Sequence, residues 1–192
     1  SSGKMGYAIA QVAADMGAEV TLISGATSIE PPKNVINISA KSSDAMYQAV
    51  MKNIATQKFG TEDIFISVAA VTDYSPSKPS TEKIKKSDQS PLNEPLTLFQ
   101  NKDILADVAN LPNAPFCVGF AAETQNLLQQ AEEKRLRKKL PLLVANLVSE
   151  SMGQDEASIT LLDDKGSHPQ QRAAKSVLAS ALLTHVSNML ND

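Results

Sequence analysis

Ser1-Ser2-Gly3-Lys4-Met5-Gly6-Tyr7-Ala8-Ile9-Ala10 begins as a run of small residues and turns into an apolar helix. Small residues leave backbone N–H groups uncovered where a helix points the positive end of its dipole, which makes a seat for an anion such as phosphate. A glycine-containing helix start that binds nothing has the same local pattern, and the run taken alone favours that plainer reading. Two familiar phosphate loops are excluded. G-x-x-x-x-G-K-[ST] needs Ser or Thr after its lysine to hold magnesium, but Met5 follows Lys4. G-x-G-x-x-G fails because Ser1 stands where the first glycine belongs. The run opens inside a loop, so a strand is expected ahead of it.

Outward from this loop, the chain alternates helices and strands. Met5, Ile9, Val12 and Met16 recur at helical spacing over residues 5–17, and Gly17 is a stop. Residues 19–24 and 35–38 read as strands, with a helix between 43 and 57 capped by Ser43 or Asp44. Residues 63–71 are apolar almost throughout, as expected of a strand covered on both faces. A long polar loop follows Thr72-Asp73-Tyr74 and carries Lys83-Ile84-Lys85-Lys86. Further strands are expected at 96–99, 116–122 and 142–146, and helices from Asp103 to Leu111 and from about 127 to Leu140. Residues 158–162 with the turn Asp163-Asp164-Lys165-Gly166 suggest a hairpin. A last helix runs from about Arg172 to Met189. This rhythm predicts one α/β domain over residues 1–192: a Rossmann-like three-layer sandwich, a mostly parallel sheet with helices on both faces.

Composition narrows the function classes. The 192 residues carry a net charge of −3 and no Trp, which argues against nucleic-acid binding by a basic face or by base stacking. No apolar run is long enough to span a membrane. The one cysteine, Cys117, lies in an apolar strand and reads as core; with no second cysteine to bridge, a reducing cytoplasm is expected. His168 and His185 read as surface residues, and no His/Cys/carboxylate spacing predicts a metal site.

In open α/β sheets, ligands sit beyond the carboxyl ends of the strands. Three strand ends deliver small residues followed by a polar group: Ala69 and Ala70 before Asp73, Ala122 before Glu123 and Thr124, and Ala145 before Asn146. Gly119 and the neighbouring alanines are expected to leave room for a ligand. Lys134 and Lys138, four apart, share a helix face that suits a triphosphate. The plainer reading is a solvated face paired with Glu132 and Glu133. Backbone amides and lysines without a side-chain nucleophile suit phosphoryl or nucleotidyl transfer. A nicotinamide-dependent oxidoreductase on the same sheet is the alternative, weakened by the missing glycine fingerprint.

Six motifs together carry a resemblance: Ser1 to Gly6, Ala69 to Tyr74, Lys83 to Lys86, Asn101 to Leu105, Gly119 to Thr124, and Lys134 to Lys138 followed by Ala145-Asn146. In that order they resemble the phosphopantothenoylcysteine synthetase (phosphopantothenate–cysteine ligase) family, the C-terminal half of a bifunctional coenzyme A biosynthesis flavoprotein. The resemblance implies that 4′-phosphopantothenate attacks the α-phosphate of CTP, and that cysteine then displaces CMP from the acyl-cytidylate. It implies Mg2+ with the CTP and a homodimer. Asp73 and Gly3 would meet the nucleotide, and Lys83 the phosphates and the reacting carboxyl. Lys102, Asp103, Ile104, Leu105 and Phe120 would line the cytidine pocket. Lys134 and Lys138 would bind the triphosphate, and Ala69 and Ala70 would lie near phosphopantothenate. The family's Ile-Thr-Asn-type segment, whose Asn acts on the acyl-cytidylate, precedes this loop and is absent from these residues. The flavin-dependent decarboxylase half is also absent, so no FMN is expected.

Overall fold

The computed structural model describes residues 2–57, 60, 62–78, 96–123, 127–147 and 154–191. In chain order they form α1 (Lys4–Asp15), β1 (Thr21–Ser24), β2 (Ile36–Ser39), α2 (Ser43–Gln57), β3 (Ile64–Ser67), β4 (Tyr74–Pro76) and β5 (Leu98–Gln100). Then come α3 (Ile104–Ala109), β6 (Phe116–Glu123), α4 (Leu127–Arg137), β7 (Leu142–Leu147), β8 (Glu156–Asp163), β9 (Gly166–Ala174) and α5 (Lys175–Asn191).

The central sheet has the order β3-β6-β7-β8-β9. β3, β6 and β7 run parallel, and β8 and β9 continue the sheet antiparallel. β1 and β2 form a separate parallel pair. Because successive side chains of a strand point to opposite faces and both faces are covered, β6 is apolar from Phe116 to Ala122 and β7 from Leu142 to Ala145. Cys117 and Ala121 of β6, with Leu143 and Ala145 of β7, pack on one face with Val50, Val108 and Ala131 of the helices α2, α3 and α4. Val118, Leu142 and Val144 face the other way, against Ile9 of α1 and Leu178, Leu182 and Val186 of α5. This is the expected three-layer sandwich with an antiparallel edge added. Each fully buried leucine contributes about 1.5–3 kcal/mol, so Leu142, Leu161, Leu178 and Leu182 anchor this half.

Several local expectations change. Ser42, one residue before the expected caps, accepts the Ala45 N–H at 3.1 Å and caps α2. β3 is shorter than its apolar run and only half covered, with Ile64 38% exposed. Among the described residues it pairs only with β6. The strand expected at 96–99 is shifted to Leu98–Gln100 and pairs antiparallel with β4, which sequence reading had placed in a loop. The last helix starts at Lys175 rather than near Arg172, because residues 166–174 form the polar strand β9. β9 is the edge of the sheet, where Pro169 is tolerated because a missing N–H leaves no ladder bond broken inside the sheet.

Candidate active site

The parallel strands β3, β6 and β7 point their carboxyl ends to one side, and a cleft of about 2000 Å³ that also runs along β1 and β3 reaches them. That exceeds the roughly 300–1,000 Å³ of an ordinary ligand pocket, because its lining also runs along β1 and β3 to Glu19 and Asp63 at their amino ends. α1 borders it. The Tyr7 hydroxyl sits 2.7 Å from Ser24 Oγ at the end of β1. Gly6 lies against Val68, just past β3.

At the mouth of the cleft, Gly3 occupies the N-cap of α1 with φ +80°, a backbone conformation that L side chains rarely adopt. It provides no side-chain cap, so the first turn is served by no capping oxygen from that residue. Ser2 is tied down from outside, its carbonyl accepting from Thr27 Oγ1 at 3.3 Å.

On the opposite wall, Asp103 caps α3 by accepting the Ala106 N–H at 3.0 Å, and Lys138 Nζ lies 2.6 Å from its other oxygen. Burial pushes the Asp103 carboxyl up, but the bonds from Lys138 and Ala106 outweigh it, so its pKa lies below the ordinary carboxylate value. Lys134 adds its charge from the same helix face and makes no ion pair among the described residues. Lys102 stacks its ammonium over the Tyr47 ring at 4.3 Å. Asn101 latches the segment after β3 to α3, donating from its side chain to the Thr72 carbonyl at 2.8 Å and from its N–H to the Asp73 carbonyl at 2.8 Å.

The cleft therefore gathers Gly3, Ala69, Ala70, Asp73, Lys102, Asp103, Ile104, Leu105, Phe120, Lys134 and Lys138 of the expected site. Lys83 and Thr124 lie outside the described residues, and of Glu123 only the backbone is described. Ile104 and Leu105 border the cleft, but their side chains are buried in the core. Gly119 is a correction. A Cβ there would meet Leu105 at 2.8 Å and Leu140 at 2.9 Å, so its smallness makes room for leucines, not for a ligand.

The basic helix also divides. Arg135 turns inward, bonded to Glu132, to Asp164 and to the Leu140 carbonyl, while Glu133 accepts from Gln129. Glu132 and Glu133 thus do not neutralise the two lysines that reach the cleft. Cys117 is core, and burial pushes its thiol up to about 11. Sequence reading missed Lys175. It is nearly buried at the cleft and donates to the Gln154 carbonyl, beside the 2.6 Å ion pair of Lys4 with Asp155. Burial first, then the Lys4 charge, hold the Lys175 ammonium below the ordinary lysine value, with Asp155 opposing. Lys4 and Asp155 beside it stand 151 positions apart in the chain, a separation no spacing rule detects.

Known proteins resemble the chain over nearly its whole length. The profile of the DNA/pantothenate metabolism flavoprotein C-terminal domain matches residues 1–190. A coenzyme A biosynthesis bifunctional protein CoaBC from Vibrio vulnificus is 41% identical over 194 residues, covering 99% of this chain and 47% of that protein. The chain thus spans about half the length of such relatives. The crystal structure of a CoaBC C-terminal domain superposes with a TM-score of 0.81 at 32% identity, covering 100% of this chain and 85% of the other. A Cab2 mutant in complex with phosphopantothenate-cysteine shares the fold, with a TM-score of 0.72 at 14% identity, over 100% of this chain and 80% of its own. Among the described residues, no helix is long and apolar enough to cross a membrane.

Proposed function

The chain belongs to the DNA/pantothenate metabolism flavoprotein C-terminal domain family, and from that premise we propose that it is a phosphopantothenate–cysteine ligase acting in coenzyme A biosynthesis. The observation that carries the reading is that Lys134, Lys138 and the start of α1 all border one cleft. The name CoaBC on relatives, and phosphopantothenate-cysteine bound to Cab2, supply the substrate class.

In this reading CTP lies with its triphosphate between the amides of the α1 start and the ammonium groups of Lys134 and Lys138. A carboxylate oxygen of 4′-phosphopantothenate forms a bond to the α-phosphorus, and pyrophosphate leaves. The cysteine amine then forms the amide bond at the activated carbonyl; CMP departs and the nitrogen loses a proton. The protein's contribution is placement and charge, with no covalent intermediate on a side chain. Lys138 arrives pre-positioned by Asp103. Lys102 and Phe120 flank the base, and Lys83 is assigned to the phosphates and the reacting carboxyl. Ala69 and Ala70 leave space on the phosphopantothenate side.

The donor set suits Mg2+ carried on the triphosphate. Of the two carboxylates assigned to the nucleotide, Asp103 is held by Lys138 and Asp73 is exposed, so Asp73 is the one open to a cation. The ion would neutralise charge on the departing pyrophosphate. A homodimer is supported by the exposed apolar side chains Tyr74, Leu96, Leu98 and Phe99 on and beside the β4–β5 ribbon. Sedimentation as a monomer at micromolar concentration would remove that part.

Thermal shift and pyrophosphate release test the reading. CTP with Mg2+ is expected to stabilise the chain, and pyrophosphate to appear only when phosphopantothenate is added. Stabilisation by NAD alone, with none by CTP, would overturn it.

A further inference from the structure

At the far end of β8 from the cleft, three side chains that the sequence separates by five and seventeen positions meet. Asp163 ends β8, His168 lies on β9 and His185 lies on α5. His168 Nε2 is 3.0 Å from Asp163 Oδ1, and His185 Nε2 is 2.8 Å from Asp163 Oδ2. The two rings stand 4.8 Å apart, tilted by 52°. The two histidines, expected at the surface, are half-buried. A strand, a turn and a helix bring together what no short spacing shows.

We propose that Asp163, His168 and His185 form a binding site for a divalent transition-metal ion of the zinc class, tying α5 to the β8–β9 hairpin. Five features converge on this assignment. The ligand atoms all lie within 4.8 Å of one another. Metal–ligand distances of about 2.0–2.2 Å place tetrahedral neighbours roughly 3.3–3.6 Å apart, so each N···O pair has to open by about half an ångström and the widest pair has to close by about 1.2–1.5 Å, a side-chain adjustment. Two imidazoles and a carboxylate are a donor set that suits zinc, copper or nickel rather than calcium or magnesium.

The carboxylate is also fixed from behind. Its side chain is 1% exposed, and Oδ1 accepts the N–H groups of Lys165 at 2.8 Å and Gly166 at 3.1 Å. Such outer partners orient a ligand and hold it in place. The histidines stay reachable: their side chains are 35% and 22% exposed, which gives an ion an entry path and leaves room for water as a further ligand. The ion would replace the two imidazole protons that bridge to the carboxylate in the metal-free state. The site lies outside the proposed ligase cleft and does not depend on that assignment.

These are the chain's two histidines, so in untagged, chelator-stripped protein every imidazole signal reports on the site. Titration with Zn2+, followed by 15N NMR of the imidazoles, is expected to shift the Nε2 resonances of both rings together at a single saturating event. Calorimetry on His168→Gln and His185→Gln is expected to show Zn2+ affinity falling at least about 10-fold, the loss that even an outer partner causes. Unmoved imidazole resonances, or Zn2+ affinity unchanged in both variants, would overturn the proposal. The NMR arm needs no variant, so a substitution that fails to fold does not rescue the idea.

Discussion

The half of the molecule from β6 to α5 and the half from α1 to β5 are built from similar residues but finished differently. In the first, β6 and β8 are eight residues long, and Val118, Val144, Leu182 and Val186 are fully buried. Even the inward-turned Arg135 has its partners. In the second, β1 and β3 are four residues long, β4 and β5 three, and Ile36, Ile64, Leu98 and Phe99 are half exposed. The lesson is a division of labour. Stability is concentrated where strands are covered on both faces, and the candidate cleft joins the less buried half, whose first helix start lacks a side-chain cap, to the α4 lysines of the better-packed half. Ligand-binding elements are drawn from the less stable part of a fold because they must meet something other than themselves.

The comparison predicts unequal costs of truncation. Leu182→Ala is expected to destabilise by about 2–5 kcal/mol, the range for deleting a fully buried leucine. Ile64→Ala, on the half-covered strand, is expected to cost under about 1.5 kcal/mol. Denaturant melts of the two variants decide this, and equal losses would erase the distinction between the halves.

Next in size is the effect on ligand. Lys134→Ala and Lys138→Ala each remove a charge-assisted contact worth about 1.5–3 kcal/mol, so CTP affinity should fall roughly 10- to 100-fold with little change in melting temperature. Phosphopantothenate binding should change less. Calorimetry with each ligand separates the outcomes, and equal weakening of both would detach the lysines from the triphosphate.

Gly119→Ala probes the seam between the halves. Its new methyl would press on Leu105 and Leu140, an overpacking cost of about 1–3 kcal/mol visible in a melt. A gain in stability would mean that the leucines yield easily and that the wall of the cleft is soft.

The smallest effect concerns acid. The folded pKa of Asp103 lies below its unfolded value, so its pairing stabilises the fold above the unfolded pKa of about 3.9. That contribution fades as pH falls through the folded pKa. The group is 47% exposed, so the contribution is under about 1 kcal/mol. Melts of wild type and Asp103→Asn from neutral pH downward should converge at the acid end; a constant gap would contradict the assignment.

Legibility in the sequence follows the same division. β6 and β7 were plain because strands covered on both faces are apolar without interruption, and α3 because Asp103 is a capping residue directly before its helix. β9 was hidden because Gly-Ser-His-Pro-Gln-Gln-Arg has no apolar signal; it exists through backbone pairing with the buried β8. β4 was hidden in Tyr-Ser-Pro, whose partner stands more than twenty residues on. The cleft residues were found through motif resemblance and the strand-end rule. Lys175 and the Asp163–His168–His185 cluster escaped because tertiary packing alone assembles them.

The central claim is that one polyanion is gripped at once by the start of α1 and by α4. A crystal structure of the chain with CTP and Mg2+ tests it most directly. The expected result is a triphosphate seated on the amides following Gly3, with the ammonium groups of Lys134 and Lys138 within hydrogen-bond distance of its oxygens. A nucleotide bound elsewhere, with both lysines turned to solvent, would contradict it.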